Sequence, residues 1–205
     1  MSTTLPEDLP QAPQGVALLI IDMINDLDFE GGGPLRVAAE AAADAILRLR
    51  DEADALGAPV VYVNDNFGHW RSERSRILDH CRRPESPNRA LVERMAPRER
   101  DLFVIKNQFS GFYASHLPVL LPRLGATRLV LTGVAADICV LFTAADAHMR
   151  EYDLWAPADA VASDQAQRAE WALEIMRKSM WAETRPTDAL TLAAWAAGEP
   201  EPPAG

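Results

Sequence analysis

The sequence predicts an α/β domain built on a mostly parallel sheet, and three observations lead there. Short apolar runs of strand length alternate with longer segments of helical periodicity. The runs are apolar at every residue rather than every second one, as strands covered by helices on both faces require. Each run also stops abruptly at a polar or small residue. Strand, helix, strand in that order gives parallel neighbours joined by crossovers.

The elements follow in sequence. Residues 1–14 are polar, hold Pro6, Pro10 and Pro13, and are expected to form a flexible lead-in. Val16-Ala-Leu-Leu-Ile-Ile21 is the first strand, ending at Asp22. Pro34 suits a first helical turn, and Leu35, Ala38, Ala42, Ile46, Leu49, Ala53 and Leu56 recur at spacings of three and four. Gly57 then offers a left-handed stop. Residues 58–63 form the second run, ending at Asn64-Asp65. Leu102-Phe-Val-Ile105 ends at Lys106, and Arg128-Leu-Val-Leu-Thr132 ends at Gly133. A helix is expected from Val140 to Arg150. Another starts near Asp164, whose side chain caps it with Gln167 three residues on, and carries Trp171, Ile175 and Met176. The domain is placed at 15–190, with 191–205 a C-terminal segment ending in the proline-rich run Gly198-Glu-Pro-Glu-Pro-Pro-Ala-Gly205. No fixed-period repeat is present, which excludes solenoids. Gly31-Gly-Gly33 comes too late after the first strand, and lacks the spacing, to be a dinucleotide-binding loop.

Composition narrows the function. A chain of 205 residues, 48% hydrophobic and 24% charged, can bury a full core as one domain. Thirty acids against twenty bases give a net charge of −10, so neither nucleic acid nor an anionic membrane is expected as a partner. Two cysteines make no disulfide framework, no apolar run reaches the length of a membrane span, and the N-terminus lacks the build of a signal peptide. The expected location is the cytoplasm.

Ligands of open α/β sheets bind beyond the carboxyl ends of the strands. Asp22, Asp65, Lys106 and the stretch Gly133-Val-Ala-Ala-Asp-Ile-Cys-Val140 are all predicted on that rim. Lys106 stands out because the chain has only one other lysine, Lys178, against eighteen arginines. Cys139 falls near a helix start, where free N–H groups favour a thiolate. With an acid to take the thiol proton and a cation to orient that acid, Asp22, Lys106 and Cys139 fit a nucleophile–base–orienter set. From spacing alone the same residues are equally a helix cap, a solvated strand end and a small core residue.

The exact residues add a resemblance. Leu18-Leu-Ile-Ile-Asp22-Met-Ile-Asn-Asp-Leu27 resembles the opening strand of the isochorismatase-like cysteine hydrolases. Phe103-Val-Ile-Lys106-Asn-Gln-Phe-Ser-Gly-Phe112 is similar to their lysine strand, and Leu131-Thr-Gly-Val-Ala-Ala-Asp-Ile-Cys139-Val140 to their nucleophile segment. The likeness covers roughly residues 15–185. It implies a three-layer α/β/α, Rossmann-like domain with about six strands, and hydrolysis of a small molecule, most often at an amide, imide or carbamoyl C–N bond. It implies catalytic roles for Asp22, Lys106 and Cys139, a cis peptide at Val134–Ala135, and an oxyanion hole formed by the N–H groups of Ala135 and Cys139. It also implies a homo-oligomer, a dimer or tetramer. Enol-ether cleavage and a non-catalytic binding module are the alternatives. The intact Asp22, Lys106 and Cys139 set argues against the module.

Departures from the family pattern matter too. Members that bind a metal use Asp-x-His, whereas here Asp65 is followed by Asn66 and Phe67, with His69 and His80 beyond. No metal and no other cofactor is therefore expected. Ile24 stands where many members carry glutamine. Asn66, Phe67, Trp70, Phe109 and Phe112 are candidate pocket residues. Residues 71–100 hold nine arginines and five acids, and could form either a wall attracting anions or a solvated or packed face. Cys81, between His80 and Arg82, has no obvious base, and His116 and His148 fall on expected helices.

Overall fold

The structure is a computed structural model in which residues 9–68 and 73–198 are described. Its strands are β1 (Val16–Ile21), β2 (Val60–Asp65), β3 (Leu102–Lys106), β4 (Arg128–Val134), β5 (Asp153–Trp155) and β6 (Val161–Ala162). The helices are α1 (Gly32–Leu56), α2 (Arg74–Cys81), α3 (Arg89–Arg94), α4 (Leu117–Arg123), α5 (Leu141–His148), α6 (Ala166–Met180) and α7 (Leu192–Ala196), with a π-helical turn at Ala136–Val140 leading into α5.

The six strands form one sheet in the order β3-β2-β1-β4-β5, with β6 also paired to β4. Every pairing is parallel. β5 takes the first half of β4, at Arg128 to Val130, and β6 takes its end, at Gly133 and Val134. The continuous apolar runs follow from burial on both faces. In β1, Val16, Leu18 and Ile20 join a core with Ala42, Ile46 and Leu49 of α1 and Leu192 and Ala196 of α7. Ala17, Leu19 and Ile21 point the other way, into a core with Leu117 and Leu121 of α4, Ala144 of α5 and Met176 of α6. These are the two helical layers of a three-layer α/β/α domain.

The ends are better packed than their composition suggests. Leu9 and Ala12 lie against the second core, and the Ala12 N–H donates to the Leu124 carbonyl at 2.7 Å. α7 extends the packed domain beyond residue 190: Trp195 meets Trp155 at 5.8 Å between ring centres, and Arg128 donates to the Trp195 and Ala196 carbonyls. The proline-rich run beyond Gly198 lies outside the described residues.

Three expected details change. Asp164 does not cap α6: Gln165 holds the cap position, the Asp164 carboxylate goes to Arg168 at 3.5 Å, and the Gln167 amide goes to Glu170. On that helix Met176 is buried, but Trp171 and Ile175 face solvent. The helix expected after Cys139 begins before it, at Ala136, as the π-turn.

The arginine-rich stretch, as far as it is described, turns toward the protein's own acids. Arg94 pairs with Asp44 of α1, Arg98 with Asp54 and Asp101, Arg100 with Asp54, and Arg83 with Asp26 and Asp28. These contacts fasten residues 83–100 onto α1 and the loop after β1. Among the described residues of the stretch, none lines the cavity described below.

Candidate active site

The sheet order reverses direction at β1: the chain runs outward to β2 and β3 on one side, then returns to β4 on the other. Such a switch point opens a crevice beyond the carboxyl ends of the two central strands. Asp22 follows β1 and the Val134-to-Cys139 segment follows β4, so both enter this crevice. The register holds them side by side, with Ile21 opposite Gly133. Gly133 is required there. Its φ is +108°, and a side-chain carbon would lie 2.0 Å from the Ile21 carbonyl oxygen.

Lys106 arrives from two strands away. It ends β3, two strands and roughly 10 Å from β1 at ordinary strand spacing, so its side chain passes the end of β2 and meets the Asp22 carboxylate reaching toward it. A four-carbon stem with a compact charge suits that reach. The ammonium is wholly buried, 2.9 Å from Asp22 Oδ2, 3.4 Å from Asp65 Oδ2, 3.1 Å from the Gln108 carbonyl and 3.4 Å from Cys139 Sγ. Asp22 Oδ1 accepts the Asp65 N–H at 2.7 Å, and the Cys139 thiol is a close neighbour of the Asp22 carboxylate. Asn64 braces the loop after Asp22, accepting from the Ile24 N–H at 3.1 Å and donating to the Ile24 carbonyl at 2.8 Å. Ile24, the departure from the usual glutamine, is fully buried in the core.

Burial pushes the Asp22 carboxyl above the ordinary carboxylate range, against the pull of Lys106. Burial and the Asp22 charge likewise push the Cys139 thiol up, despite Lys106. The expectation that a helix start would leave Cys139 a ready thiolate is thus corrected: two anions beside one cation leave an uncompensated buried charge. Burial thus favours the neutral thiol, and a carboxylate raised by burial is a better base beside it. Burial works against the Lys106 charge, but the neighbouring Asp22 and Asp65 carboxylates outweigh it and keep the ammonium protonated. Cys81 is fully buried, with its pKa pushed up to about 12 chiefly by burial, which makes it unreactive.

The cluster forms the floor of a cavity of about 390 Å³. Phe29, Leu35, Phe67, Phe109, Val134 and Ile138 supply apolar walls, and Glu30, Asp137, Asp164 and Arg168 supply charge. The peptide between Val134 and Ala135 is cis. Of the candidate pocket residues, Phe67 and Phe109 line the cavity and Trp70 lies outside the described residues. Asn66 and Phe112 do not line it. Asn66 is buried, bonding Asn107 at 2.7 Å, and Phe112 packs in the second core beneath the Arg150 guanidinium. His80 Nε2 lies 2.9 Å from Asp26 rather than beside Asp65, and His69 is outside the described residues.

Glu30 and Arg168 escaped the sequence, and the part played by Asp65 did so too. Asp65 was placed on the rim, but its contact with Lys106 and its N–H bond to Asp22 depend on three adjacent strand ends. The acid–base walls come from the start of α1 and from α6, far apart in sequence. No local pattern marks Glu30 or Arg168.

Fold and site together define a parallel-sheet α/β enzyme with an acid, a lysine and a cysteine at its switch point. A family model described as "Isochorismatase domain" matches residues 16–188. The uncharacterized isochorismatase family protein YaaI of Bacillus subtilis is 38% identical over 167 residues, covering 82% of this chain and 91% of that one. The ureidoacrylate amidohydrolase RutB of Azorhizobium caulinodans is 30% identical, covering 72% and 76%. Among solved structures, an isochorismatase family protein from Desulfovibrio vulgaris superposes with a TM-score of 0.68 at 28% identity, over 85% of this chain and 95% of that one. The chain belongs to the isochorismatase family of hydrolases.

Proposed function

We propose that this hydrolase cleaves an amide, imide or carbamoyl C–N bond of a small molecule through a thioester on Cys139. The observation that carries the reading is that Asp22 and Cys139 line one cavity floor with Lys106 beneath them, its Nζ 2.9 Å from Asp22 and 3.4 Å from Cys139 Sγ. Asp22 takes the thiol proton as sulfur attacks the carbonyl carbon. The N–H groups of Ala135 and Cys139 receive the developing oxyanion, worth ~3 kcal/mol per donor in comparable sites. The C–N bond breaks as Asp22 returns the proton to the leaving nitrogen. Water then attacks the thioester carbon and gives its proton to Asp22. The acid departs, and that proton restores the thiol. Lys106 orients Asp22 throughout. No step uses a metal or cofactor.

The amidohydrolase name of a 30% identical relative supports the bond class. The test is ammonia or amine release from a panel of small amides and ureido compounds, with mass spectrometry of the quenched enzyme. Turnover with an acyl adduct on Cys139, both lost in Cys139→Ala, is the expected result. Turnover surviving in Cys139→Ala would overturn the thioester route.

A further inference from the structure

The charge of the cavity carries a second conclusion, resting on the cysteine-hydrolase reading of the same site. Five carboxylates line it: Asp22, Glu30, Asp65, Asp137 and Asp164. Among the described residues, Arg168 in the wall and Lys106 beneath the floor stand against them, which leaves three negative charges in surplus when all are ionised. Arg168 is not a vacant anion receptor. Its guanidinium meets Asp137 at 2.6 Å and Asp164 at 3.5 Å. A substrate carboxylate would have to share Arg168 with both, against Asp137, whose side chain is only 12% exposed.

Glu30 is exposed and makes no ion pair among the described residues. It sits beside Gly31, where an added methyl would come within 4.0 Å of Asp164 Oδ2. The loop before α1 and the start of α6 therefore bring Glu30 and Asp164 to the same part of the wall. Phe29, Phe67 and Phe109 line the same cavity. Apolar walls focus the field of one-signed charge, and aromatic faces attract cations. We propose that the cavity selects amides bearing a positively charged group and rejects those bearing a carboxylate, with Glu30 and Asp164 setting the choice.

The test reads charge selection at Cys139 itself. Methanethiosulfonate reagents carrying an ethylammonium, a methyl or an ethylsulfonate group are reacted with the full chain, modification is mapped by peptide, and rates are normalised to free cysteine. The ammonium-to-sulfonate rate ratio is expected to exceed the free-thiol ratio by about tenfold or more at low ionic strength. The excess should shrink in high salt and in Glu30→Gln and Asp164→Asn. A normalised ratio at or below unity overturns the charge selection while leaving the nucleophile intact. Cys139 inert to all three reagents overturns the nucleophile instead. Equilibrium binding then decides the selection: benzamidinium binding more tightly than benzoate sustains it, and equal or reversed affinities overturn it.

Discussion

Asp22 and Lys106 illustrate how burial turns ordinary side chains into chemistry. A carboxyl whose pKa is raised by burial is a better base, and the nearby ammonium limits how far it rises. If Asp22 must be ionised to act, the acid limb of kcat/KM lies above the usual carboxylate range. Removing the cation in Lys106→Met should move that limb to still higher pH. It should also cost about 3–5 kcal/mol of stability by stranding a buried charge, measured by urea denaturation. A limb left in place would show that Asp22 does not control the rate. Asn64 acts at one remove. Asn64→Ala loses both bonds to Ile24 and should cost roughly 1–3 kcal/mol, leaving buried backbone groups without partners. A midpoint unchanged in denaturation would contradict that role.

At the level of elements, the strand ends decide what is catalytic. Gly133→Ala should be among the most damaging single-methyl changes, because the new carbon meets a backbone carbonyl of the neighbouring strand rather than a side chain that could move. A loss of several-fold in kcat/KM together with a lower denaturation midpoint is expected, and wild-type behaviour would contradict the β1–β4 register. β1 to β4 were legible as continuous apolar runs, whereas β5 and β6, of three and two residues, were too short to show such a pattern. Asp22 and Lys106 were legible because polar residues end those runs, and Cys139 because it stands between a strand and the helix that follows. The π-turn holding Cys139 was not, since Ala136–Val140 reads as the start of an ordinary helix. The Asp164 cap failed because Arg168, one turn on, competes for the carboxylate. Trp171 and Ile175 follow helical spacing yet face solvent, since periodicity identifies a stripe without saying what covers it.

For the molecule as a whole, the arginine-rich stretch shows why local charge does not translate into a binding surface. Four of its described arginines, Arg83, Arg94, Arg98 and Arg100, pair with acids of α1 and of the loop after β1, so much of the local positive charge is met inside the chain. Among the described residues no helix is long and apolar enough to cross a membrane. The cavity walls were illegible for a related reason: they join residues more than a hundred positions apart, such as Glu30 and Arg168. The family resemblance leads us to expect a dimer or tetramer. Sedimentation equilibrium should give two or four times the chain mass, and a monomer across the concentration range would contradict it.

The most direct measurement is the alkylation rate of Cys139 by iodoacetamide against pH, mapped by peptide with Cys81 as internal control, in the wild type and in Asp22→Asn. If Asp22 is the base for this thiol, Cys139 outpaces Cys81 and its rate rises with Asp22 ionisation, whereas in Asp22→Asn, which removes both that base and the charge opposing the thiolate, the rate loses this dependence and follows the thiol's own ionisation. A Cys139 no faster than Cys81, or a rate indifferent to Asp22→Asn, would contradict the account.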